Sequence, residues 1–196
     1  MFSRLLKFFV ETICGWTLKG DIPDTNKALV FIYPHTSYWD SVYSIMIAIY
    51  MNGNLLIKGE NIGYVLAKLF GHTSVNRSKQ LSQTETIANT IINTNGKYWL
   101  YMSPEGSCMY RPYIRSGFYY IALKANVPII CGNMNYRTRE YGFSHIIHIK
   151  DESTDRIKPI EEVLDEIVKW YTDNDLLESG LYVKNINPLQ LKEKTN

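Results

Sequence analysis

The sequence predicts an α/β fold: a single layered domain with a mainly parallel or mixed sheet flanked by helices. Three observations carry this. Short apolar runs that read as buried strands alternate with longer stretches of helical periodicity from residue 28 onward. The chain of 196 residues is one domain long, a typical domain having about 150. No repeat, low-complexity tract or linker divides it. The organisation reads as an amphipathic helix over 1–18, a domain over 19–176 and a tail over 177–196.

Residues 28–33 (ALVFIY) are continuously apolar, as a strand covered on both faces must be, and Pro34 closes them. Ser37 is placed to cap a helix over 38–51, because its hydroxyl can accept a first-turn N–H. The Asn-Gly-Asn turn at 52–54 leads into a strand over 54–58. A helix over 62–70 stops at Gly71, and 72–75 form a brief strand. Leu81, Thr84, Ile87 and Ile91 share one face of a helix over 80–94, which Asn95-Gly96 ends. KYWLYM (97–102) reads as a strand, 116–125 as a helix, and 127–136 and 144–150 as strands. Val163, Leu164, Ile167 and Trp170 give 158–173 the three- and four-residue spacing of an amphipathic helix. The last twenty residues carry no periodicity and read as a tail or loose cap.

Composition excludes several classes. Hydrophobic residues make up 45% and charged residues 20%, which is a folding composition rather than a disordered one. With 21 basic and 19 acidic side chains the net charge is +2. That is too balanced for a nucleic-acid binder held by bulk electrostatics, and no basic groove accompanies the tyrosines. Cys14, Cys108 and Cys131 are odd in number and far apart, so neither a disulfide framework nor a zinc pair is read from them. His145 and His148, three apart in a predicted strand, face opposite sides and make a poor metal pair. No metal and no resident cofactor is expected.

At the N-terminus, Phe2, Leu5, Leu6, Phe9, Ile13 and Trp16 form a stripe at helical spacing. Arg4, Lys7 and Glu11 interrupt it, and each would cost ~2.5–3.5 kcal/mol at the centre of a bilayer, so the segment is not expected to span. Two readings stay open: a helix that packs its stripe on the domain, and a helix lying in a membrane interface.

Chemistry concentrates in three turns that follow predicted strands. In PHTSYWD (34–40), residues five apart on one helix diverge by about 140°. His35 and Asp40 therefore meet only if the histidine stands outside the helix, in a turn that folds back. Pro34 and Ser37 supply that turn. Asp40 then falls in the first helical turn, where a carboxylate is favoured. It can accept Nδ1–H of His35 and leave Nε2 basic. That is the base-and-orienter half of a triad, with no protein nucleophile needed if the substrate brings a hydroxyl. The same residues fit a loop histidine beside a helix-capping aspartate. Arg77, in SVNRS (74–78), either points a cation into the same mouth or is solvated at the surface. Gly106, in SPEGS (103–107), allows close backbone approach to an anion, and Glu105 can accept from a polyol or fix an arginine; an ordinary turn also fits. Ligands of open α/β sheets bind beyond the carboxyl ends of the strands, which is where all three turns fall.

These blocks resemble the phospholipid/glycerol acyltransferases, typified by the 1-acylglycerol-3-phosphate acyltransferases. The family's His-x4-Asp block matches His35 to Asp40, within a PHTSYWD string like that of a compact subgroup. Its arginine block matches Arg77, its Pro-Glu-Gly-Thr/Ser block matches Pro104 to Ser107, and its Val-Pro-Ile strand matches VPII at 127–130. All four occur in order, and the resemblance covers residues 12–173. It implies a glycerol-3-phosphate acyltransferase-like fold. It also implies transfer of a fatty acyl group from acyl-CoA or acyl carrier protein to a lysolipid hydroxyl. His35 would be the general base and Asp40 its orienter, with Arg77, Glu105, Gly106 and Ser107 holding the acceptor's polar head. The implied partners are membrane lipid, the lysolipid acceptor and the thioester donor, and the implied place is the cytoplasmic face of a membrane, peripheral or monotopic. Two departures stand out: Asn76 where many relatives have Asp, and Cys108 where the third block often has Arg. Arg111 and Arg115 are the cations that could substitute. The departures leave two further readings, a catalytically silent lipid-binding member of the fold and a thioester or ester hydrolase.

Overall fold

The computed structural model describes residues 2–51, 53–58, 73–75, 80–151 and 153–192. The strands are β1 (Thr17–Leu18), β2 (Lys27–Ile32), β3 (Asn54–Lys58), β4 (Thr73–Val75), β5 (Tyr98–Met102), β6 (Ile129–Asn135) and β7 (Glu140–Ile147). Among the described residues these form one seven-stranded sheet in the order β1-β7-β6-β2-β5-β3-β4. Every neighbouring pair is parallel except β6 with β7, so the sheet is mixed. The helices are α1 (Phe2–Phe8), α2 (Tyr38–Tyr50), α3 (Gln80–Asn93), α4 (Gly117–Ala125) and α5 (Ile160–Asp173). The helix expected over 62–70 lies outside the described residues, as do Gly71 and His72.

Because side chains alternate along a strand, the central strand β2 feeds two cores. Leu29 and Phe31 point to the side covered by α3, α4 and α5, where they meet Phe118, Val163 and Ile167. Ala28, Val30 and Ile32 point to the side covered by α2 and the N-terminal segment after α1, where they cluster with Val10, Trp16, Ile47 and Met134. Both sides of β2 are therefore dry, which is why the strand is continuously apolar.

Two elements differ from expectation. The last strand begins at Glu140 rather than 144, because the chain leaves β6 through a short turn and pairs at once with it, Asn135 opposite Glu140. Tyr141 and Phe143, buried within that early part, supply the inward alternation. The N-terminal helix is interrupted: α1 passes into a π-helical turn over Phe9–Ile13, closed by a bond from Cys14 N–H to Phe9 O at 2.9 Å. The wider turn changes the phase of the helix. Val10 and Trp16 become fully buried, while Leu5, Phe8, Phe9 and Ile13 stay exposed. The expected stripe is thus split, with only part of it packed on the domain. Among the described residues no helix is long and apolar enough to cross a membrane.

Candidate active site

The carboxyl ends of β5, β2 and β6 lie side by side, because the three strands are adjacent and parallel. Each is followed by one piece of the site: Glu105 after β5, His35 after β2 and Tyr136 after β6. Two of the three predicted turns, those of His35 and Glu105, therefore lie beyond the carboxyl ends of adjacent strands. Arg77 and Asn76 lie outside the described residues.

Ser37 caps α2 in a capping box: its hydroxyl accepts the Trp39 N–H at 3.1 Å, and its own N–H donates to Asp40 Oδ2 at 2.8 Å. Thr36 N–H donates to the same oxygen at 2.7 Å. The chain thus wraps around the carboxylate, which is 3% exposed, and brings His35 Nδ1 to 3.4 Å from Asp40 Oδ2. Asp40 thus caps the helix and also faces the histidine with one oxygen. The imidazole is partly open to solvent. With Nδ1 turned to the carboxylate, Nε2 on the far side of the ring is left for a substrate proton. Tyr38 and Trp39, which begin α2, are both exposed beside it.

The third turn is arranged differently from expectation. Glu105 is fully buried. One of its oxygens accepts the His35 N–H at 2.5 Å, and the other accepts Asn187 Nδ2 at 2.8 Å. Its carboxylate is a strut that holds the histidine's backbone, rather than a group offered to an acceptor. Burial pushes its pKa from 4.5 up to about 7, outweighing the opposing effect of the hydrogen bonds and of His35. Gly106 occupies the left-handed region at φ 63°, and its N–H donates back to Ser103 O at 3.3 Å, closing the turn. Ser107 Oγ accepts the Met109 N–H at 3.2 Å. Arg115 lies along this loop: a Cβ on Gly106 would come within 3.1 Å of its Nε. Arg111 Nε is buried without a hydrogen-bond partner among the described residues.

The segment expected as a tail or loose cap is packed onto the site. Asn187 is fully buried; its carboxamide oxygen accepts the Arg111 N–H, and its backbone oxygen accepts the Tyr33 hydroxyl at 2.7 Å. Asn185 Nδ2 donates to Thr36 O at 3.1 Å, and Tyr182 N–H to Thr36 Oγ1 at 3.2 Å. Sequence reasoning missed these residues, and Tyr136 as well. They sit in no apolar pattern, and isolated polar residues far along the chain give no local signal. Among the described residues no cluster of three or more His, Cys, Asp or Glu could hold a metal ion.

No protein-family model matches the chain, and no curated protein matches it by sequence. Among solved structures, the 1-acyl-sn-glycerophosphate (LPA) acyltransferase PlsC of Thermotoga maritima is similar over 88% of this chain and 78% of its own. The TM-score is 0.57 and the identity 14%. The chain therefore has the fold of that acyltransferase, the fold that its ordered motifs resemble.

Proposed function

We propose that the protein is an O-acyltransferase that moves a fatty acyl group from an acyl-CoA or acyl carrier protein thioester to the hydroxyl of a lysolipid. The observation that carries this reading is the pair His35–Asp40, Nδ1 to Oδ2 at 3.4 Å, at the carboxyl end of the central strand of an acyltransferase fold.

His35 Nε2 takes the acceptor hydroxyl proton as the oxygen attacks the thioester carbonyl. The tetrahedral adduct collapses with loss of the thiolate, which receives that proton from the imidazolium, giving ester and free thiol. Asp40 holds the ring and faces its positive charge in the transition state. A positioned general base is typically worth 10²–10⁴-fold, about 3–5 kcal/mol. The rest of the rate comes from holding two ligands together. Glu105 fixes the His35 backbone rather than binding substrate, so the acceptor's polar head falls to Arg111 and Arg115 on the loop beyond it, with Arg77 from the predicted second block. Cys108, at the usual arginine position of the third block, cannot supply a charge-assisted bond to phosphate. A phosphodiester or another hydroxylated lipid head suits this loop better than a phosphomonoester.

The place of action in this reading is a membrane surface, with the exposed Leu5, Phe8, Phe9 and Ile13 in the interface and Tyr38 and Trp39 beside the catalytic turn. The test is a panel of lysolipid acceptors in vesicles, each supplied with acyl-CoA or acyl carrier protein thioester and read by mass spectrometry. The expected product is acylated acceptor, with phosphomonoester acceptors gaining from Cys108→Arg. Free fatty acid without acylated acceptor identifies a hydrolase. Lipid binding without turnover across the panel identifies a silent binding protein.

A further inference from the structure

Tyr136 belongs to none of the motifs, yet its hydroxyl donates to Asp40 Oδ1 at 2.5 Å. The two Asp40 oxygens are thereby divided. Oδ2 takes the Thr36 and Ser37 N–H groups and faces His35, and Oδ1 takes Tyr136. The two backbone donors hold Oδ2, and the donor on Oδ1 adds resistance to rotation of the carboxylate about Cβ–Cγ, which keeps Oδ2 facing Nδ1.

Tyr136 is itself held at three points. Its N–H donates to Ser179 O at 2.9 Å, and its ring meets Trp16 edge-on, with centroids 5.0 Å apart and planes at 87°. The third point is Asp40. The phenol also stays a donor at any working pH, since burial, the Asp40 charge and their mutual bond all drive its ionisation upward. Arg139 pulls the other way without reversing the shift.

We propose that Tyr136 is a positioning residue for catalysis: through Asp40 it sets the tautomer and orientation of His35. This rests on His35 being the base. It adds a donor from the end of β6, just past the strand and outside the two motif-bearing turns, and it ties that base to the N-terminal segment through Trp16.

The test is Tyr136→Phe, which keeps the ring against Trp16 and removes only the hydroxyl. Ring ¹⁵N spectra of His35, recorded where the imidazole is neutral, are expected to show the Nδ1–H form dominating in the parent protein and a mixture of both tautomers in Tyr136→Phe. In turnover, kcat should fall about tenfold with KM little changed, a loss of about 1.4 kcal/mol of transition-state stabilisation. In an Asp40→Ala background the same change should cost less than twofold, whereas a residue acting only through stability would give equal factors in both. Site-specific 3-fluorotyrosine at 136, which keeps the hydroxyl, should restore both the spectrum and the rate. If Tyr136→Phe does not fold, Asp40→Asn read by the same ring spectra takes its place, and an unchanged Nδ1–H population there overturns the coupling. Unchanged tautomer populations in Tyr136→Phe, or equal kcat losses in both backgrounds, overturn the assignment of Tyr136. Full turnover by His35→Ala overturns the base instead, and leaves the tautomer result standing by itself.

Discussion

The Asn187 carboxamide donates to Glu105 Oε1 at 2.8 Å, across 82 residues of sequence, and both side chains are fully buried. The other oxygen of Glu105 accepts the His35 N–H. A residue nine positions before the last is thus two hydrogen bonds from the proposed base. Asn187→Ala leaves the Arg111 N–H without its acceptor and removes the carboxamide donor from Glu105 Oε1. Stranding a buried donor or acceptor costs ~1–3 kcal/mol, so chemical denaturation should show a loss of that size. Asn187→Asp should be worse at neutral pH than at pH 5, because it sets a second carboxyl against Glu105.

Glu105 also gives stability a pH dependence. Its folded pKa of about 7 lies above its ordinary 4.5, so between those values the folded protein binds a proton that the unfolded chain has released. Stability then falls as pH rises. The contribution is fully present below 4.5 and lost as pH passes through 7, a span worth about 3 kcal/mol at 1.36 kcal/mol per unit. Denaturant midpoints measured from pH 4.5 to 8 should show this slope, and Glu105→Gln should remove its share of it.

Gly180 packs directly against the turn that carries His35. A Cβ there would stand 2.7 Å from both Thr36 Oγ1 and Cγ2, and 3.2 Å from Pro34 Cγ. Gly180→Ala must therefore push on the residues that flank His35. Overpacking of this kind costs ~1–3 kcal/mol, and a displaced base should lower kcat by at least tenfold in protein that is still folded. Circular dichroism together with turnover separates the two effects.

The N-terminal face is best tested by substitution. Deleting residues 1–18 would remove the fully buried Val10 and Trp16 along with the exposed apolar residues. Phe8→Glu and Ile13→Glu alter only exposed positions. If this face enters a membrane, each should weaken vesicle co-sedimentation by at least about tenfold, since a buried side chain of this size is worth ~1.5–3 kcal/mol. Unchanged sedimentation of both variants contradicts the membrane reading.

Where energy is local and repeated, the sequence was legible. The apolar run that became β2, the Ser37 cap and the His35–Asp40 encounter follow from burial, N-capping and a proline-ended strand. Glu105 was found, but its direction was not, because a turn sequence does not say which way a carboxylate faces. Tyr136, Asn187 and Gly180 were invisible for a different reason. Each matters through contacts with residues far away in sequence, and such contacts impose no period or spacing on their neighbours. The two-residue strand β1 is too short to carry alternation, and the π-helical turn after α1 is what shifted the apolar stripe.

The account depends most on His35 as the base for acyl transfer. Its most direct test is mass-spectrometric turnover of acyl-CoA and a lysolipid by the parent protein and by His35→Ala, with both shown to be folded by near-ultraviolet circular dichroism. The account predicts acylated lysolipid from the parent and a rate at least 10²-fold lower from His35→Ala, the smallest loss expected for a general base. Equal product from both proteins would contradict it.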